Sequence, residues 1–130
     1  METYLRGQIS GILPMQKTLR TAVFQAIAIV IGSELCTAAQ VARSLGMSEK
    51  KMQRLLNDEG ESFRTILQNV REDMASNLLA QTSIPIDSVS EFLGYASNAA
   101  FTRAFTGWSN CTPSQYRRRQ QNEAEAVDVL

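Results

Sequence analysis

Apolar residues recur along this chain at spacings of three and four and never settle into the alternation of a half-buried strand. The pattern predicts an all-α fold of seven or so helices with no sheet. Leu19, Val23, Ala26, Ile27 and Val30 form one stripe, placing a helix over Gln16 to Ile31 with Gly32 as its cap. After the connector Ser33 to Cys36, Thr37 is a good N-cap for a second helix. There Ala38, Val41, Ala42 and Leu45 share a face, and Gly46 can take the positive φ of a sharp turn. Ser48 caps a third helix, which ends at Gly60. Its Met52, Leu55 and Leu56 point inward, leaving Lys50, Lys51, Gln53, Arg54 and Asn57 outside. A long helix is expected over Ser62 to Ala80, with Phe63, Ile66, Leu67, Val70, Met74 and Leu78 as a single stripe.

Gln81 to Pro85 reads as a loop, and Pro85 places the next helix start at itself or Ile86. Ile86, Val89 and Leu93 line that helix, which stops at Gly94. Ser97 caps its successor, where Phe101, Phe105 and Trp108 face inward and Asn98, Ala99, Thr102 and Arg103 outward. Thr112-Pro113 opens a short helix to about Gln120. Gln121 to Leu130 is expected to fray as an acidic, flexible tail. At the other end Leu5, Ile9, Ile12 and Leu13 suggest a short helix over Glu2 to Leu13, weakened by Gly7 and Gly11 and ended by Pro14. Residues 1–14 are thus expected to be a remnant helix of a preceding domain or an interdomain linker.

Two short helices on either side of Leu45-Gly46-Met47-Ser48 read as a helix-turn-helix, and a degenerate copy begins near Ile86. The expected domain covers residues 15–120: a first unit over about 15–60, a linker helix over about 62–80 and a second unit over about 84–120. The linker spans about 28 Å at 1.5 Å per residue. Reading helices about 34 Å apart enter successive major grooves on one face of a duplex, so a strut of this length is suitable.

Composition narrows the function. The chain has 130 residues, is 44% hydrophobic and 20% charged, and so can bury a core. No apolar run reaches the roughly 18 residues of a membrane span, and no secretory signal pattern opens the chain. A cytoplasmic protein without membrane partners is expected. There is no histidine, and the two cysteines, Cys36 and Cys111, have no cysteine neighbours. A zinc site needs roughly four nitrogen or sulfur ligands, so no metal or other cofactor is expected and both thiols read as free. The net charge is zero and the pI about 6.3, against values above about 9 common in nucleic-acid-binding domains. Its distribution is uneven. Thr37 to Gln120 holds 10 Lys or Arg and 8 Asp or Glu, a net of +2, while Glu123, Glu125 and Asp128 lie beyond it.

The outward residues of the third helix suit base recognition. Glutamine can bond adenine at N6 and N7, and arginine guanine at O6 and N7, which fits Gln53 and Arg54. Lys50 stands one turn nearer the helix N-terminus, where bases are usually met. The N-terminal amides and the Ser48 hydroxyl suit a phosphate, and Lys51 is also assigned there, as is Ser97 in the second unit. Polar residues on a helix face are often merely solvated. What raises Gln53 and Arg54 above that reading is the surrounding two-helix pattern with glycine in the turn. In the second unit Asn98, Thr102 and Arg103 can bond bases or phosphates, and Ala99 offers a methyl group to thymine. The spacing of Phe101, Phe105 and Trp108 marks them as core rather than a base-stacking platform.

These residues carry a family likeness. From about Leu19 to Arg119 the chain resembles the DNA-binding domain of AraC/XylS-family transcription regulators. The likeness is strongest in VARSLGMSEKKMQRLL, EGESF, Arg71, LGYASNAAFTRAF and TPSQYRR. Leu45-Gly46-Met47-Ser48 with Gln53-Arg54, and the runs Ala100-Phe101 and Arg103-Ala104-Phe105, are most similar to the subgroup with an arabinose-binding-type N-terminal domain. The resemblance implies two homeodomain-like helix-turn-helix bundles joined by a linker helix. It implies base contacts from Lys50, Gln53 and Arg54, and from Asn98, Ala99, Thr102 and Arg103. It also implies that the chain is the C-terminal part of a larger bacterial regulator, without its effector-binding domain, with promoter DNA and RNA polymerase as partners.

The chain departs from the family pattern in its second unit. Thr106-Gly107 stands where the family usually has a basic pair, removing two phosphate contacts, and glycine weakens the helix by about 1 kcal/mol. Asn110 replaces a usual glycine but still tolerates positive φ, and Ser90 replaces a common alanine. The first unit is therefore expected to carry most of the specificity. A competing reading is an all-helical protein-interaction module that has lost most DNA reading. An enzyme is not expected. Similar helical domains accompany DNA-repair alkyl transferases, which need an activated cysteine among metal ligands, and Cys36 and Cys111 lack that company.

Overall fold

The computed structural model of the protein describes residues 18–129. Among these the fold is all-α, with seven helices: α1 Leu19–Val30, α2 Ala38–Ser44, α3 Glu49–Asp58, α4 Phe63–Gln81, α5 Ile86–Phe92, α6 Asn98–Ser109 and α7 Pro113–Val129. The first three pack together as one unit and the last three as another, with α4 against α1 on one side and α5 and α7 on the other. The expected helix over Glu2 to Leu13, and Gln16 and Lys17 of the next, lie outside the described residues.

Most helix starts are set by side chains three residues away. The hydroxyls of Thr18, Thr37, Ser48, Ser62 and Ser97 accept from the backbone N–H of Thr21, Gln40, Lys51, Thr65 and Ala100, at 3.1–3.2 Å. Each such cap is typically worth about 1 kcal/mol. At α7 the bond is reciprocal: Thr112 Oγ1 accepts from the Gln115 amide at 3.1 Å, while Gln115 Oε1 accepts from the Thr112 amide at 2.9 Å. In the first turn Gly46 has φ +77, and Asn110 takes φ +62 after α6, as its side chain permits.

The linker helix differs from its expected single stripe. Its buried residues are Ile66, Val70, Ala75 and Leu79, whereas Met74 and Leu78 are only half-buried. Nine residues separate Ile66 from Ala75, and Val70 from Leu79, or about two and a half turns at 3.6 residues per turn. The buried face therefore changes to the opposite side midway along α4. The first unit meets it near Asn69, which accepts a 2.9 Å bond from Arg20 of α1. The second meets it near its C-terminus, where Arg117 of α7 donates to the carbonyls of Leu79 and Leu78 at 3.1 and 3.4 Å.

α7 also runs on past Gln120, where a short helix and a flexible tail were expected, and reaches Val129. Gln121 to Val129 contains neither glycine nor proline, so nothing local ends the helix there.

One core runs through both units and α4. In the first, the Glu59 carboxylate at the end of α3 accepts from the amides of Leu19 and Arg20, both at 3.2 Å, and so caps α1 from forty residues away. Arg20 also pairs with Glu61 at 3.3 Å. The second unit is held by aromatic rings. Phe105 lies edge-on to Phe101, Trp108 and Tyr116, with centroids 5.9, 5.9 and 5.3 Å away. Phe105 is 1% exposed and touches rings from α6 and α7, so Phe105→Ala opens a cavity between them. We expect that substitution to cost about 3–5 kcal/mol in urea denaturation of the purified protein.

Candidate nucleic-acid interface

α3 is amphipathic for a simple reason. Met52 and Leu56, four residues apart, are fully buried against α1 and α2, while Leu55 beside them is half-buried. Every other position from Glu49 to Asp58 is exposed. The residues expected to act on this helix are thereby brought together. Glu49, Lys50, Gln53, Arg54 and Asn57 line one shallow depression, and Ser48, Lys50, Lys51 and Arg54 line an adjoining one. Lys50 and Arg54 border both, so two cations sit in the middle of the surface, with Lys51 beside them at the helix N-terminus. Ser48 holds the end of the helix, its Oγ accepting from the Lys51 amide at 3.1 Å.

One participant on this surface was not anticipated. Glu49 Oε2 accepts from Gln53 Nε2 at 3.2 Å. The two residues are one helical turn apart, a spacing at which side chains meet, so the signal was present in the sequence. The bond fixes the Gln53 amide with its N–H toward the helix start. It also places an acidic group among the cations, lowering the positive field of the surface. A carboxylate there can accept from cytosine N4 but repels a phosphate.

α6 presents a sparser face. Asn98, Ala99 and Arg103 are exposed, and Thr102 is half-buried rather than fully outward. Ser97 caps the helix. Ser90 is buried, and its hydroxyl donates to the Ser97 carbonyl at 3.2 Å, so the buried side chain is not left unsatisfied. Thr106 is exposed but turns its hydroxyl back onto the Thr102 carbonyl at 2.7 Å, and Gly107 beside it has no side chain. At Thr106 and Gly107 α6 thus offers neither a charge nor a free hydroxyl proton. Phe101 and Phe105 are buried and Trp108 is half-buried, so these rings belong to the core.

Among the described residues no helix is long and apolar enough to cross a membrane, and no group of three or more His, Cys, Asp or Glu residues is placed to hold a metal ion. Both cysteines are free thiols.

Residues 41–119 match the family described as a helix-turn-helix domain, a span that runs from within α2 through the linker helix into α7. The HTH-type transcriptional regulator VqsM of Pseudomonas aeruginosa is 38% identical over 76 residues, 58% of this chain and 23% of that protein. The urease operon transcriptional activator of Escherichia coli is 40% identical over 92 residues, 69% of this chain and 31% of that protein. Across the first curated relatives the chain spans 23% to 33% of their length. A solved structure of a DNA-binding transcriptional dual regulator from Escherichia coli K-12 superposes with a TM-score of 0.79 at 28% identity, over 85% of this chain and 99% of that one. All three are transcription regulators and not enzymes. The chain belongs to this helix-turn-helix domain family of transcription regulators and is broadly AraC/XylS-like.

Proposed function

We propose that the chain reads promoter DNA by sequence, with α3 and α6 entering successive major grooves on one face of the duplex. The observation that carries this reading is the surface of α3. Lys50, Gln53 and Arg54 stand together and exposed above a fully buried Met52 and Leu56. A helix so held presents base-reading side chains without moving its backbone. In this reading Lys50, Gln53 and Arg54 contact bases from the first unit, and Asn98, Ala99, Thr102 and Arg103 from the second. Ser48, Lys51 and Ser97 hold phosphates. The DNA-binding regulator from Escherichia coli K-12 with the same architecture supports it.

The sequence runs around Leu45-Gly46-Met47-Ser48 and Ala100-Phe101 support placement in the subgroup with an arabinose-binding-type regulatory domain. On that reading the protein works in the cytoplasm of a bacterium, answers to an effector bound outside residues 15–120, and acts on RNA polymerase at its promoter.

The two heads are unequal. α3 carries three cations and a glutamine, whereas α6 carries Arg103 alone as a cation, and its Thr106 hydroxyl is committed to its own helix. Specificity therefore rests mainly on the first unit.

Selection of duplexes from a random pool, followed by sequencing, tests this directly. We expect two separated boxes, the first with the sharper base preference. Failure to select any sequence at low salt would favour a protein-interaction module instead. On the selected duplex, Arg54→Ala is expected to cost about 1–3 kcal/mol and relax preference at one base position. Equal binding by that variant would reject the assignment of Arg54. Lys51→Ala is expected to weaken all sequences alike and lower the salt slope by about 1, measured by fluorescence anisotropy across a salt series. Arg103→Ala should cost less than Arg54→Ala in the same titrations.

A further inference from the structure

The two units approach each other backbone to backbone. Gly32 follows α1 with φ +78, and Gly94 follows α5 with φ +89. A Cβ on Gly32 would collide with the carbonyl oxygen of Phe92. One on Gly94 would lie 3.3 Å from the Gly32 Cα and 3.4 Å from Arg71 Nη2. No side chain lies between the two glycines to slide or change rotamer, so this contact is stiffer than the apolar packing around it.

Arg71, on the linker helix, closes the joint. Its Nε donates to the Leu93 carbonyl at 3.1 Å, at the end of α5 where the helix leaves its last carbonyls without partners. Its guanidinium lies 4.7 Å from the centroid of the Tyr95 ring. Its Nη2 also lies 3.4 Å from a Cβ built on Gly94, beside Gly32 of the first unit. Burial raises the pKa of the Cys36 thiol and of the Tyr95 phenol, and at both groups the Arg71 charge pulls the other way. One cation on α4 is therefore felt in the connector between α1 and α2 and in the turn between α5 and α6.

A displacement at this point would be passed to α6. The Tyr95 amide donates to the Ser90 carbonyl at 3.1 Å, and Ser90 Oγ donates to the carbonyl of Ser97, the residue that caps α6. The turn that carries Gly94 is thus tied to the start of the second reading helix.

We infer that Arg71 and the Gly32–Gly94 approach form a joint that fixes the angle between α3 and α6, and so restricts the protein to one spacing between its two DNA boxes. The restriction on spacing rests on the DNA reading proposed above; the joint itself does not. Arg71 is a positioning residue whose hydrogen bond and ring contact fall on Leu93 and Tyr95, outside both reading helices. Each base pair inserted between the boxes shifts the second by about 3.4 Å and turns it by roughly a tenth of a revolution. A rigid pair of helices cannot follow both changes.

Residual dipolar couplings of the full 15N-labelled chain test the joint without DNA. In the native protein one alignment tensor should fit α2, α3, α5 and α6 together. Arg71→Met should leave each unit fitting its own structure but require two tensors, and Gly32→Ala should do the same from the other side of the contact. Gly60→Ala is the control. Gly60 has φ +77 with nothing within 4 Å of a built Cβ, so it carries the same backbone strain without the contact. It should keep one tensor. Should Arg71→Met unfold, Gly32→Ala decides the matter.

The DNA arm uses the selected duplex with one base pair inserted between the boxes. The native protein should lose about tenfold or more in affinity, the equivalent of one good base contact. Arg71→Met should bind the original duplex more weakly yet lose only about twofold on insertion, while its affinity for the first box alone stays unchanged. A single tensor fitting both Arg71→Met and Gly32→Ala overturns the joint. An insertion penalty as steep in Arg71→Met as in the native protein overturns its role in spacing. If no duplex is selected by the native protein, the DNA reading and the spacing claim fall, and the couplings still decide the joint.

Discussion

Nine residues of α-helix turn through about two and a half revolutions, so Ile66 and Ala75 face in opposite directions, as do Val70 and Leu79. All four are fully buried. α4 therefore has no solvent-facing side that persists along its length. It is covered on one side by α1 in its first half and on the other by the α5 and α7 unit toward its end. A tether between two independent helix-turn-helix units would need no such change of face. Here each half of α4 is a core element of a different unit, and one apolar core runs from Val23 to Phe105. The rest of the architecture depends on this arrangement, because α2, α3, α5 and α6 are too short to be stable except against a neighbour.

Arginines secure this arrangement at three points. Arg20 links α1 to Asn69 and Glu61, Arg71 reaches the end of α5, and Arg117 reaches the end of α4. In the last two the guanidinium meets a carbonyl that a helix terminus would otherwise leave without a partner, and a cation there also complements the helix dipole. Such bonds are worth more than exposed ion pairs because the acceptor is fixed backbone in a partly buried site. Of the ten cations between Thr37 and Gln120, at least two are thus committed to the fold. The slightly basic core consequently offers the solvent less positive charge than its composition implies. Of the eight that remain, α3 carries three, Lys50, Lys51 and Arg54, and α6 carries Arg103 alone, an inequality of the two helices that is separate from Thr106-Gly107.

Much of the fold was legible because it is local. Caps act over three residues, so Thr37, Ser48, Ser97 and Thr112 could be recognised in the sequence, as could the glycine of the first turn. The exposed face of α3 was legible for the same reason, since Met52 and Leu56 lie close together and leave a single outer side. What escaped depends on residues far apart. A single stripe was expected on α4 because Phe63 to Leu78 supplies one. Ala75 and Leu79 are buried only because the second unit covers the opposite side, which no window of sequence contains. The capping of α1 by Glu59 and the role of Arg71 at the joint are equally non-local. The length of α7 differs for another reason: its acidic, polar end suggests a fraying tail, although nothing in it breaks a helix. The Glu49–Gln53 bond, by contrast, is local: its four-residue spacing is present in the sequence.

The double burial of α4 also constrains how a domain with two helix-turn-helix units can change. Each residue added to the helix would lengthen it by about 1.5 Å but turn everything beyond it by about 100°. A base pair added between two boxes moves the second by about 3.4 Å and turns it by only roughly 35°. The two screws have different pitches, so a one-residue insertion in α4 cannot track a one-base-pair insertion in DNA. Rotation is the sensitive variable, and a single residue changes it by about 100° at a step. It also cannot twist freely, because a turn of 100° would carry Ala75 and Leu79 out of the second unit's core. Fine adjustment must instead come from where the second unit rests on α4 and on the first unit, which is the region around Gly32, Arg71 and Gly94. The orientation of the second helix is therefore set by a backbone approach and a single guanidinium, residues that carry no base-reading chemistry of their own.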